Sequence, residues 1–172
     1  MSYHIDLKNR HGKDWINERE YYKEVRNFLS RCEREIGTER QSTCVAAHPN
    51  TERRKIEWHF PERAVYKDRT PEVVKESNLV VTHYSSAALF AVMDGVDLCF
   101  FSVSPFSGTG EQKNVEDIAS LYGRKVNNAK NEDEIEYGID KRKYEKTTKR
   151  FVKTPNNPDV NSWVYIYNTL IG

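Results

Sequence analysis

The stretch Asn78–Val103, "NLVVTHYSSAALFAVMDGVDLCFFSV", decides the fold. It opens on a β-branched apolar run, "NLVVTHY", that reads as a strand. Ser85 and Ser86 close that run, and "SSAALFAVMDG" takes up helical character, with Gly95 placed near its end. "VDLCFFSV" then returns to a continuous apolar strand. A strand buried on both faces reads as an unbroken apolar run, and strands that alternate with helices build a parallel sheet. The expected architecture is therefore α/β, a Rossmann-like parallel sheet flanked by helices, with right-handed crossovers.

The same grammar extends outward in both directions. Upstream, "WINEREYYKEVRNFLSRCEREIG" places Tyr21, Val25, Phe28, Leu29, Cys32 and Ile36 at helical spacing, and Gly37 is set to end that helix. "STCVAA" follows as a short buried strand. "ERRKIEWHFPER" is polar and predicts a short helix ending before Pro61, with "AVY" at Ala64–Tyr66 as a brief strand. Thr70-Pro71 signals a helix start, Thr70 as cap and Pro71 at the first helical position. Downstream, "KNVEDIASLYG" predicts a helix closed by Gly123, and residues 131–172 read as helices, ending in "VNSWVYIYNTLI". The opening "MSYHIDLKNRHGKD" is polar and weakly patterned, its "HIDL" resembling the tail of a strand.

The 172 residues suit a single domain over 1–172, long enough to bury roughly 70% of the unfolded chain's surface. Lys and Arg number 27 against 26 Asp and Glu, a net charge of +1 that makes no electrostatic case for nucleic acid. Cys32, Cys44 and Cys99 lie inside apolar patterns, an odd set that reads as small buried side chains in a reducing compartment. No run has the length of a membrane span and no signal-peptide core opens the chain, which points to the cytoplasm. The basic residues of "DKRKYEKTTKR" read as a solvated helix face; peripheral contact with a membrane is the alternative.

Candidate chemistry gathers at two strand ends. "STCVAAHPN" ends a strand on His48, and Pro49 forbids its continuation. Ser85 and Ser86 close one strand and open a helix, whose first N–H groups and two hydroxyls suit an anion. In a parallel sheet both places fall on the carboxyl edge, where ligands bind. The plainer readings are a surface histidine and an ordinary helix cap. His83 reads as core and His59 as surface. The histidines and cysteines lack metal-ligand spacing. "GTGEQKN" is not a phosphate loop, and Ser85-Ser86 is not a nucleophile elbow.

"AAHPN" followed by "VYKDRTPEVVKESNLVVTHYSSAALFAV" resembles the nucleotide-sugar-binding half of bacterial surface-polysaccharide glycosyltransferases of the two-domain GT-B architecture. The His-Pro and Ser-Ser pairs are similar to those of sialyltransferases, polysialyltransferases and capsule Kdo transferases, which use CMP-activated sugars. CDP-glycerol glycerophosphotransferases carry a similar pair. The resemblance covers about Tyr21–Val103. It implies that His48 contacts the nucleotide phosphate and assists departure of CMP, that Ser85 and Ser86 bind the phosphate, that Pro49 shapes the loop, and that residues near Lys67–Thr70 lie close to the base or ribose. It implies no cofactor and no metal, the CMP-sugar being the donor substrate. Such enzymes also have an N-terminal acceptor-binding half, and only some forty residues precede "AAHPN" here. An acceptor-binding partner domain or subunit is therefore expected, and the chain alone is expected not to transfer sugar. The alternatives are a CDP-glycerol-type transferase domain and a non-catalytic sugar-nucleotide-binding module. An epimerase-like domain is disfavoured, because no paired carboxylates stand near the motifs.

Overall fold

The computed structural model describes residues 16–151, with side chains through residue 146. The sequence-based helix over "NSWVYIYNTLI" and the strand tail in "HIDL" lie outside the described residues. Helix α1 spans Glu18–Ile36. The Asn17 side chain caps it by accepting from Glu20 N–H at 3.2 Å, and Gly37 ends it in the left-handed conformation at φ 68°. After a 3-10 turn at Arg40–Ser42 come β1 (Cys44–Ala47), α2 (Arg53–His59), β2 (Ala64–Lys67), α3 (Thr70–Lys75) and β3 (Leu79–Thr82). The order continues with α4 (Ala87–Asp94), β4 (Asp97–Ser102), a 3-10 turn at Ser104–Phe106, α5 (Gly110–Leu121), β5 (Val126–Asn128) and α6 (Lys141–Phe151).

The described strands form two parallel ladders, β1–β2 and β3–β4–β5. Helices flank both, giving a Rossmann-like α/β arrangement. Strand β4 explains why the sequence announced a two-sided sheet. Its residues alternate between two cores: Leu98 and Phe100 join Ala91, Val92, Tyr122 and Tyr144 on one face, while Cys99 and Phe101 join α1 on the other. Phe101 stacks on Phe28 of α1, ring centroids 4.5 Å apart and planes within 6°. Truncating either β4 phenylalanine to alanine would cost about 3–5 kcal/mol, the usual loss for a fully buried aromatic.

Three local expectations need correcting. Thr70 is not the cap of α3; Arg69 holds that position without a side-chain bond, so Thr70 is the first helical residue and Pro71, expected there, is the second. Residues 131–140 are not helical. The Asn127 amide brackets Glu136, accepting from its N–H at 2.8 Å and donating to its carbonyl at 2.9 Å, and Gly138 pairs antiparallel with Leu98. That segment is drawn out along the sheet, and the helix begins only at Lys141. His59, expected at the surface, is 3% exposed. Its ring stacks on Tyr22 at 3.6 Å and its Nε2 meets Glu18 at 2.8 Å, clamping α2 onto α1. Burial lowers its pKa, with Glu18 pulling the other way.

On α6, Tyr144 is buried, packs edge-on against Tyr122, and donates to the Val96 carbonyl at 3.3 Å. Lys141, Arg142 and Lys146 stay exposed on its other face. Among the described residues no helix is long and apolar enough to cross a membrane.

Candidate functional site

The chain after β1 turns back at once. Thr51 N–H donates to the His48 carbonyl at 2.9 Å, closing a β-turn with Pro49 and Asn50 at its corners. Proline suits the first corner because its fixed φ is already that of the turn. The turn leaves His48 exposed beyond the strand. Asn50 N–H donates to its Nδ1 at 3.2 Å. With Nδ1 accepting, Nε2 carries the ring proton and is the free donor.

After β3, Ser85 N–H donates to Thr82 Oγ1 at 3.3 Å. The Ser85 hydroxyl oxygen accepts from Ala87 N–H at 3.2 Å, and its carbonyl accepts from Ala88 N–H at 3.0 Å. Ser85 thus does the ordinary capping work at the start of α4, while its hydroxyl proton remains available to a ligand. Ser86 is exposed and its side chain makes no capping bond.

These two motifs line one cleft of about 780 Å³, which His48, Pro49, Ser85 and Ser86 share with Asp68 and Thr70. The carboxyl ends of β1, β2 and β3 therefore open on the same space, although among the described residues no ladder joins β1 to β3. Cys44, expected as a buried filler, is half-buried and also faces the cleft; burial raises its pKa. Lys67 and Arg69 turn elsewhere, into a groove on the far side of β2 with Tyr66, where the Arg69 guanidinium lies 5.8 Å from the Tyr66 ring centre. His83 is not part of the site. It is wholly buried, its Nδ1–H donating to the Phe101 carbonyl at 2.7 Å and its Nε2 accepting from the Tyr21 hydroxyl at 3.2 Å. Burial holds its pKa down at about 3, against the hydrogen bond to Phe101.

Two residues of the cleft were not singled out in the sequence. Asp68 has φ +58° and is the one non-glycine described with positive φ. Asp tolerates that conformation better than most residues, so the position places a modest backbone strain at the cleft wall. "KDR" straight after a strand was the available signal. The second is Tyr84, beside Ser85, whose hydroxyl donates to the buried carboxylate of Glu111 in the first turn of α5. No local pattern signals that contact, because 27 residues separate the pair. Among the described residues no cluster of three or more His, Cys, Asp or Glu is placed to hold a metal.

Compared with protein-family models, curated proteins and solved structures, the chain gave no match.

Proposed function

We propose that this cleft receives the phosphate of a cytidine nucleotide-activated sugar. On that reading the chain is the donor-binding part of a GT-B-type glycosyltransferase in bacterial surface polysaccharide assembly. The observation that carries the reading is the meeting of two motifs 37 positions apart, His48 and Ser85, on one cleft. Its 780 Å³ suits a ligand of nucleotide-sugar size. In transfer, an acceptor hydroxyl oxygen bonds to the sugar's anomeric carbon and gives up its proton to a base on the acceptor side, while the bond from that carbon to the phosphate oxygen breaks and negative charge gathers on the departing phosphate. His48 Nε2–H, the Ser85 hydroxyl and the opening of α4 would be donors set where that charge develops. The Asp68 carboxylate would suit ribose hydroxyls, as acidic residues past the second strand do in dinucleotide-binding sheets.

The test is titration calorimetry with CMP, UMP and CDP-glycerol. A charge-assisted bond to phosphate contributes about 1.5–3 kcal/mol, so His48→Ala is expected to weaken CMP binding roughly ten- to a hundredfold. Ser86→Ala should cost less than tenfold. Both side chains are exposed, and melting should move by less than about 2 °C, in keeping with surface substitutions. If His48→Ala binds CMP like the parent, or melts early, the phosphate reading is wrong. CDP-glycerol bound in preference to CMP would assign the site to polyol-phosphate transfer instead.

A further inference from the structure

We infer that Tyr84 and Glu111 are positioning residues, whose hydrogen bond sets the orientation of the β3–α4 turn at the cleft. The inference rests on the phosphate reading of that cleft, and its test separates the two.

The bonds made by Ser85, to Thr82, Ala87 and Ala88, reach no further than three residues. They fix the turn's internal shape and tie it only to the end of its own strand, β3. The Tyr84–Glu111 bond spans 27 residues and ties the turn to the start of α5, which follows the neighbouring strand, β4, by a short loop. Glu111 is well placed as a fixed anchor. It is 5% exposed, and its N–H is held by the Thr109 hydroxyl at 3.2 Å. Its carboxylate lies in the first turn of α5, where the helix dipole favours negative charge. Asn114 Nδ2 approaches the same Oε2 at 3.5 Å. The loop behind it is itself anchored: Phe106 is fully buried against His83, ring centres 5.0 Å apart, and Ser104 N–H donates to Glu24 at 2.7 Å. A buried carboxylate is costly to desolvate, so this one needs donors such as the Tyr84 hydroxyl. Tyr84 meanwhile lines the cleft. One side chain thus connects the wall to a rigid anchor.

The experiment uses the full chain, with Tyr84→Phe and Glu111→Gln. The first removes only the hydroxyl; the second keeps an oxygen that can accept from it. The readouts are amide hydrogen exchange at Ser85–Ala88, exchange in α1 as an internal reference, and CMP titration. Tyr84→Phe should speed exchange at Ser85–Ala88 at least threefold with α1 unchanged, and weaken CMP three- to tenfold. Glu111→Gln should stay within twofold of the parent on both counts. Exchange at Ser85–Ala88 equal to the parent's overturns the inference whether or not CMP binds. A loosened turn with CMP affinity unchanged overturns it too. If the parent fails to bind CMP and the turn still loosens selectively, the phosphate reading falls and the positioning role stands.

Discussion

His83 should make the fold acid-sensitive in a measurable way. The ring is 0% exposed and boxed by Phe101, Phe106 and Tyr21, with ring centres at 4.0, 5.0 and 5.9 Å. Its Nδ1 already donates to the Phe101 carbonyl, so a second proton must go on Nε2, which accepts from Tyr21. Burial of the resulting charge holds the pKa at about 3, against an ordinary 6.5. A depressed folded-state pKa stabilises the fold fully above pH 6.5, and that contribution is lost as pH falls toward 3. Across that window the unfolded chain binds one more proton, and stability should fall by about 1.4 kcal/mol per pH unit. Between pH 7 and pH 5 this amounts to about 2 kcal/mol. Urea unfolding of the parent and of His83→Gln at both pH values isolates the effect. His59 and the carboxylates are present in both proteins and cancel in the difference. The parent's margin over the variant should narrow by that amount on going to pH 5. A constant margin, or an His83 imidazole that titrates near 6.5 by NMR, would refute the reasoning.

Further outcomes follow from other buried contacts. Arg63 meets Glu33 through Nε and Nη2 at 2.8–3.0 Å, both side chains nearly sealed from solvent. Arg63→Met should cost about 3–5 kcal/mol in urea unfolding, and adding Glu33→Leu should recover most of it. A single-variant loss under about 1 kcal/mol would show the pair to be solvent-screened. Asp68→Gly should raise stability by about 0.5–1 kcal/mol, because glycine adopts φ +58° freely, while calorimetry registers weaker CMP binding. Gly95→Ala, at φ +70° with open space where the new Cβ would sit, should lower stability by about 1 kcal/mol through backbone conformation alone.

The sequence disclosed the strands written as apolar runs, β2 with its exposed face among them, and hid the one that is not. β4 is an unbroken apolar run and was legible; β5, "VNN", has a single apolar residue and was missed. Helix α2 looked like a polar surface stretch, yet Ile56, His59 and Phe60 fall at i, i+3 and i+4 and face the core. The histidine was misjudged because its burial depends on Tyr22 and Glu18, far away in sequence. The same limit applies to Cys99, whose pKa is pushed well up by its contact with Cys32 and by burial. At the candidate site, His48-Pro49 and Ser85-Ser86 were visible because strand ends are marked by local chemistry: a proline corner, a pair of serines. Asp68 was visible only as part of a vague segment, since a left-handed φ leaves little trace in composition. Tyr84 and Glu111 looked like unrelated residues until the ladder brought their loops side by side.

Every residue lining the cleft lies between Cys44 and Phe90, one contiguous stretch of chain. The side chains that hold the protein folded are drawn largely from outside it: α1 supplies Tyr21, Tyr22 and Phe28, and β4 supplies Leu98, Phe100 and Phe101. Robustness and recognition therefore overlap only in part, since Ala47, Val74, Val80, Thr82 and Ala87 line the cleft and are also buried. Drift in α1 or β4 would change how much of the protein is folded while leaving the residues of the cleft in place, and drift at the exposed positions His48, Pro49, Asp68 and Ser86 could retune ligand preference on an unchanged frame. For a domain of this kind, a new ligand could be acquired through those few exposed side chains, with no renegotiation of the packing that keeps the chain folded.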